Sequence, residues 1–286
     1  MPLPLTDSGR ARGGAATAAE PGAAAGQSGA PGCSTAVRWQ LLLEPQGRSG
    51  PENMAVDVAL LERADRMGEA FLRLYRFDPA CLSLGRNEAA GGYDRAAIAR
   101  RGADVVRRPT GGAAVWHEHE LTYAVAAPIA TFGGLRRAYQ AIHARLATVL
   151  GTLGVSPTLA PDRPAPPSTA LHRPEPCFAA PVGGELLVRA RKLVGSAQVR
   201  RGGAFLQHGS ILLDGSQEII TAVSRQPHAA STATTLSAEL GRHVMWEEVA
   251  DALVRTWDTA VTSPNLPQPP PTSIAWFSDP AWTWRR

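Results

Sequence analysis

The chain has 286 residues, 44% of them hydrophobic, and a formal charge of +4. That is enough apolar material for one core of roughly 200 to 250 residues, but no uninterrupted apolar run approaches the ~18 residues of a membrane span. The arginines are scattered and not interleaved with aromatics, which argues against a nucleic-acid partner and suits an acidic protein partner; Cys33, Cys81 and Cys177, without CxxC spacing, argue against a disulfide framework or a structural zinc site and fit a reducing cytoplasm.

Residues 1–36 are rich in Ala, Gly, Pro and Ser, too poor in large apolar side chains to join a core, and are expected to be a disordered tail. They lack the apolar h-region of a secretory signal. Next come a strand in "VRWQLLLE" and an amphipathic helix in "PENMAVDVALLERADRMG", then "AFLRLYRF" and "CLSLG", which read as paired strands. A short helix around "DRAAIARRG" leads into the strand "ADVVRRP". "LTYAVAAP" is a further strand, and "LRRAYQAIHARLATVLGTLG" a long helix stopped by glycine.

The proline-rich stretch "VSPTLAPDRPAPPSTALHRPEPC" is expected to be a surface loop that delivers the chain to Cys177. "GELLVRARKLVGSAQVRRGGAFLQHGSILLD" then reads as a strand pair turning at "RRGG", followed by helices at "SAELGR" and "WEEVADALVRTWDTAV". Residues 262–286 are expected to be an irregular tail, and residues 37–261 one mixed α/β (α+β) domain.

Lys192 is the one lysine among 29 cationic Lys and Arg side chains. Taken as a single strand, "ELLVRARKLV" puts Leu186, Val188, Ala190, Lys192 and Val194 on one face, with Arg189 and Arg191 on the other. An ammonium on an apolar face is costly unless something pairs with it, and an arginine fork cannot replace a compact point charge in a tight site. Chance survival on an edge strand is the competing explanation. Cys177 lies 15 residues earlier in "PEPCFAAP"; a lone cysteine is usually an inert small hydrophobe, but beside an ammonium it becomes a nucleophile.

A third element is "VVRRPTGGAAVWHEHELTY", in which Gly111 and Gly112 would let backbone come close to a ligand. It matches neither GxxxxGK[ST] nor GxGxxG. His117 and His119, two apart, would share a strand face, yet no third metal ligand accompanies them and no metal site is expected.

These segments, together with "ENMAVDVALL", "LSLGR" and "TATTLSAELGR", resemble the catalytic domain of the lipoate-protein ligase, lipoyl octanoyltransferase and biotin-protein ligase superfamily from about Val37 to Val261. The resemblance implies that catalytic-domain fold, without a C-terminal accessory domain. It assigns Lys192 to the acyl carbonyl, Gly111 and Gly112 to a narrow acyl channel, and Cys177, in its "CF" pair, to the nucleophile of the cysteine-dependent octanoyltransferase branch. Arg108, Gly195, Ser196, Ala197 and Gln198 complete the implied substrate-binding set. His117 and His208 join it and are the candidates for the base that deprotonates an incoming amine. Ala113 and Ala190 stand where the family more often has glycine or, at the first, arginine.

The implied reaction moves octanoyl from octanoyl-acyl carrier protein to Cys177, then to a lysine of a lipoyl domain such as the glycine-cleavage H protein or a 2-oxoacid dehydrogenase subunit. It requires no ATP, metal or organic cofactor and belongs in the cytoplasm. An ATP-dependent lipoate-protein ligase, an amidotransferase between lipoyl domains and a non-catalytic lipoyl-binding homologue are the alternatives.

Overall fold

The structure is a computed structural model that describes Val37 and residues 39–161, 176–179, 183–226, 228, 230–257 and 268–285. The expected tail at 1–36, Cys33 and most of the proline-rich stretch lie outside the described residues. In chain order the elements are β1 (Trp39–Arg48), α1 (Gly50–Met67), β2 (Ala70–Phe77), β3 (Cys81–Leu84), α2 (Arg95–Arg100), β4 (Asp104–Arg107), β5 (Val115–His117), β6 (Glu120–Pro128) and α3 (Leu135–Thr152). They continue with β7 (Thr158–Leu159), β8 (Leu186–Val188), β9 (Arg191–Arg201), β10 (Ala204–Leu212), α4 (Ile219–Ala222), α5 (Leu236–Leu240), α6 (Trp246–Thr256), α7 (Pro271–Ser278) and α8 (Pro280–Thr283).

The expected mixed α/β class is what forms. A seven-stranded sheet runs β1-β2-β6-β10-β9-β8-β7, and a three-stranded sheet runs β4-β3-β5. β1 and β2 are parallel, as are β3 and β4; the remaining pairs are antiparallel. The large sheet is covered on both faces, which is why β2, β6 and β10 are nearly continuous apolar runs instead of strict alternations. Leu72, Leu74, Tyr123, Val125 and Phe205 pack toward α3 and α6, whereas Phe71, Tyr75, Ala124, Ala126 and Leu206 pack toward α1 and α7. Helix α1 begins where the Glu52 carboxylate accepts the Ser49 N–H at 3.0 Å, and it ends at Gly68, whose φ of 69° suits a residue without Cβ.

Several expectations change. β2 and β3 do not pair; they belong to different sheets, because β3 turns away to carry the glycine-bearing segment. The stretch around Lys192 is not one strand but the tight hairpin β8–β9, turned by Arg189 at φ 50° and Ala190 at φ 64°. Two non-glycine residues in the left-handed region leave no warning in the sequence. Thr158 and Leu159 do not loop freely but add an edge strand against Leu187 and Leu186. His119 is exposed in the bend after β5 and does not share a face with the buried His117.

The segment read as an irregular tail contains α7 and α8. Proline occupies an early position in each helix, where its missing N–H costs nothing. Phe277 is buried against the α1 core, and Trp276 stacks near Trp282 at 4.0 Å. The α8 region is tied down by fully buried Arg107 of β4, which donates to the carbonyls of Trp282, Thr283 and Arg285 and also to those of Gly85 and Glu88. The Trp282 indole N–H returns a bond to the Arg107 carbonyl at 2.9 Å.

Candidate active site

The hairpin turn delivers Lys192 opposite Leu187, with its side chain fully buried. Its Nζ donates to the Cys177 carbonyl oxygen at 2.5 Å and to Cys177 Sγ at 3.4 Å, and it pairs with Glu185 Oε1 at 2.6 Å. Three acceptors match the three donors of an ammonium. Burial alone would push the Lys192 pKa down; the negative charge of Cys177 and Glu185 outweighs it, and the pKa is raised. The Phe178 ring centroid at 5.0 Å adds a π face to the same cation.

Main-chain bonds hold the cysteine in place. Cys177 N–H donates to Ala114 O at 3.0 Å, the segment after β10 accepts from Lys192 N–H through Thr232 O, and Thr232 N–H donates to Phe178 O. Phe178 is buried with Val115 and Leu212. Gly195 makes this packing possible: a Cβ there would lie 3.0 Å from the Phe178 ring and 3.3 Å from Cys177 Sγ.

The glycine turn is clamped from behind. Arg108 spends its donors on the carbonyls of Ser83, Gly111 and Ala113 and on Ser83 Oγ, so its guanidinium shapes the turn. Burial pushes its pKa down. Gly112 sits at φ 87°, and its carbonyl oxygen occupies the place where a Gly85 Cβ would stand, 1.7 Å away. Buried Glu88 accepts the N–H groups of Gly85 and Ala114 and the Tyr93 hydroxyl, joining the two sides of the turn. Neither Gly85 nor Glu88 was singled out from sequence; "LGRNE" gave the glycine and the acid, without the turn they meet.

An open cleft of about 620 Å³ holds Gly111, Gly112, Lys192 and Gln198 on its walls. Behind it an inner pocket of about 30 Å³ is walled by Met54, Tyr75, Phe77 and Val115 and includes Arg108, His117, Gly195 and His208. Cys177, Ser196 and Ala197 border both. The structure thus gathers all the site residues expected from sequence around two adjoining cavities, with the thiol at the boundary.

The two expected bases are engaged elsewhere. His208 Nδ1–H donates to Asp57 at 2.8 Å and its Nε2 meets the Thr110 hydroxyl at 2.6 Å; Asp57 accepts carboxylate-fashion, which fixes the tautomer. Burial pushes the His208 pKa down against the pull of Asp57. His117 is held between Glu120 and Ser83 Oγ. A third histidine, not found from sequence, feels the charge of the lysine. His143 of α3 is fully buried with Nε2 2.9 Å from Ser196 Oγ, which is 2.7 Å from the Tyr123 hydroxyl; Gln207 donates to that hydroxyl and accepts from Gln198. Burial drives the His143 pKa down to about 4, with the Lys192 charge acting in the same direction. Its place on the apolar face of "AYQAIHARL" was the available signal.

Residues 49–258 match the family described as lipoyl protein ligase A/B catalytic domain. Among curated relatives, octanoyltransferase LipM of Symbiobacterium thermophilum is 37% identical, covering 76% of this chain and 84% of that protein. Octanoyltransferase LipM of Moorella thermoacetica is also 37% identical, covering 78% and 86%. A crystal structure of lipoate-protein ligase A bound with ATP superposes with a TM-score of 0.69 at 20% identity over 87% of this chain and 98% of that one, which shows the shared fold. A Thermoplasma acidophilum protein solved with bound lipoic acid, described as a putative lipoate protein ligase, does so at 0.66 and 20%, over 87% and 100%. The chain belongs to the lipoyl protein ligase A/B catalytic domain family.

Proposed function

We propose that this protein is an octanoyltransferase of lipoate biosynthesis that carries the acyl group on Cys177. The observation that carries the reading is the Lys192 ammonium, pinned 3.4 Å from a thiol that stands between an open cleft and an apolar pocket. The names of the curated relatives support octanoyl transfer.

In the first half-reaction the Cys177 thiolate attacks the thioester carbonyl of octanoyl-acyl carrier protein. The carbon–sulfur bond to the carrier breaks, and the carrier thiolate departs and takes up a proton. Lys192, already donating beside Sγ, places a positive charge where the carbonyl oxygen gains a negative one. The acyl chain follows the apolar walls inward. That pocket has room for about one water, so unbranched Met54, which changes rotamer readily, must move aside. In the second half-reaction the neutral amine of a lipoyl-domain lysine enters through the cleft and attacks the octanoyl-cysteine. Cys177 leaves as thiolate and takes the proton that the amine sheds, so neither His117 nor His208 has to act as base. Carrier protein and lipoyl-domain acceptor place the reaction in the cytoplasm.

The test is intact mass after mixing with octanoyl-acyl carrier protein without ATP. Wild type should gain one octanoyl group and Cys177→Ala none, with Cys81→Ala labelled like wild type. Labelling that depends on ATP, or that persists in Cys177→Ala, overturns the reading, the first in favour of a ligase.

A further inference from the structure

Lys192 touches two groups able to carry a negative charge before the reaction, Cys177 Sγ and Glu185, and one after it. In the resting site the ammonium is shared by Cys177 and the Glu185 carboxylate, and both hold its proton in place. Once Cys177 carries an acyl group its sulfur is a neutral thioester and a poor acceptor, so among the described residues in contact with Nζ, Glu185 alone still opposes the cost of burying a charge with a full negative one. The Cys177 carbonyl and the Phe178 ring, which also face this nitrogen, and nearby neutral His143 supply no full negative charge.

A neutral amine at this point is hazardous. Lys192 Nζ lies 3.4 Å from Sγ, and the octanoyl carbon is bonded to that sulfur, so an unprotonated Lys192 has the reach and the chemistry of the intended acceptor lysine. We infer that Glu185 is a positioning and guarding residue: its carboxylate keeps Lys192 protonated in the octanoyl-cysteine state and so prevents the enzyme from acylating itself. The side reaction it blocks is complete in atoms. The Lys192 nitrogen bonds to the octanoyl carbon, the carbon–sulfur bond breaks, and Cys177 leaves as thiolate and takes the proton lost by the amine. A free thiol and a stable octanoyl-lysine amide remain, and the enzyme is dead. The inference rests on the acyl-cysteine reading proposed above.

Hydroxylamine cleaves thioesters and spares amides, which separates the two proposals. Wild type, Glu185→Gln, Glu185→Asp and the double variant Glu185→Gln/Lys192→Met are incubated with octanoyl-acyl carrier protein without an acceptor, treated with hydroxylamine, then weighed intact and mapped by peptide mass. Wild type should lose all of its label. Glu185→Gln should accumulate one resistant octanoyl group on Lys192 and lose turnover in parallel, and the double variant should show no resistant label. Glu185→Asp, whose shorter arm draws the charge back from Nζ, should accumulate the resistant label more slowly than Gln and faster than wild type. It carries the test if the Gln variant does not fold. Label that remains wholly hydroxylamine-labile in the Gln variant, or in Asp where Gln is insoluble, overturns the guarding role and leaves the acyl-cysteine intact. A wild type without any labile label removes the acyl-cysteine and this inference together.

Discussion

Lys192 and His143 are both buried bases beside the same cleft, yet one is held charged and the other neutral. The difference lies in their partners. Lys192 meets a carboxylate and a sulfur, each able to carry a full negative charge, whereas His143 Nε2 meets a serine hydroxyl and feels the lysine's positive charge as well. Burial penalises both ions alike, so the anion within hydrogen-bond reach decides the outcome. The site therefore holds one fixed cation beside Cys177, and a neutral hydrogen-bonded chain through Ser196 and Tyr123 that adds no second charge.

The comparison is broken most severely at Lys192. Arginine retains the charge, but its planar fork cannot satisfy the Cys177 carbonyl, Sγ and Glu185 from one point, and it intrudes on the carbonyl's place. Lys192→Arg should slow octanoyl transfer on the order of a hundredfold, the scale of a misplacement of about 1 Å, while the rate of Cys177 alkylation by iodoacetamide falls much less. Transfer near the wild-type rate would show that charge alone suffices.

His143 offers a subtler test, read in stability against pH. Its folded pKa of about 4 lies below the ordinary 6.5, so the unfolded chain takes up the proton more readily and stability falls as pH drops through that window. By pH 5 the loss from this one group should be about 2 kcal/mol relative to pH 7, by linkage between those two pKa values. Urea melts of wild type and His143→Gln at both pH values measure it: the variant's decline should be shallower by that amount, and equal declines would mean that His143 charges freely in the fold. The smallest effect is expected at the turn that presents the lysine. Ala190 at φ 64° pays a left-handed penalty that glycine does not, so Ala190→Gly should raise stability by up to ~1 kcal/mol with transfer unchanged. A lower melting temperature would mean that the turn is not strained.

The residues that meet at the candidate site were legible because they stand in distinctive local patterns: the chain's single lysine, a cysteine behind proline, a double glycine. The fold class followed from alternating apolar runs. What stayed hidden depends on contacts that local pattern does not encode. Glu185 meets Lys192 because a hairpin closes between them, and the hairpin turns on Arg189 and Ala190, neither of them a usual left-handed residue. An acid alone in the apolar run "GELLV" was the only signal. Arg108 reads as a ligand-binding cation until its bonds to the glycine turn are counted against its donors. The helices at 271–283 were missed because proline density suggests irregular chain, whereas here proline starts each helix and tryptophan gives it something to pack.

The wiring of Arg107 has a consequence for how the molecule is born. Strand β4 leaves the ribosome long before its carbonyl partners near Trp282, which are 175 residues further along. At synthesis rates of about 5–20 residues per second, that interval is on the order of ten to thirty seconds. Throughout it the guanidinium destined for complete burial must stay hydrated, and the Gly85 side of the glycine turn, bonded to the same guanidinium, lacks its final brace. Cys177 and Lys192 emerge well before the last turn of α8. The nascent chain therefore exposes Cys177 and Lys192 before Arg107 has its carbonyl partners at Trp282, Thr283 and Arg285, and the turn at Gly85 is fully braced only after those residues emerge.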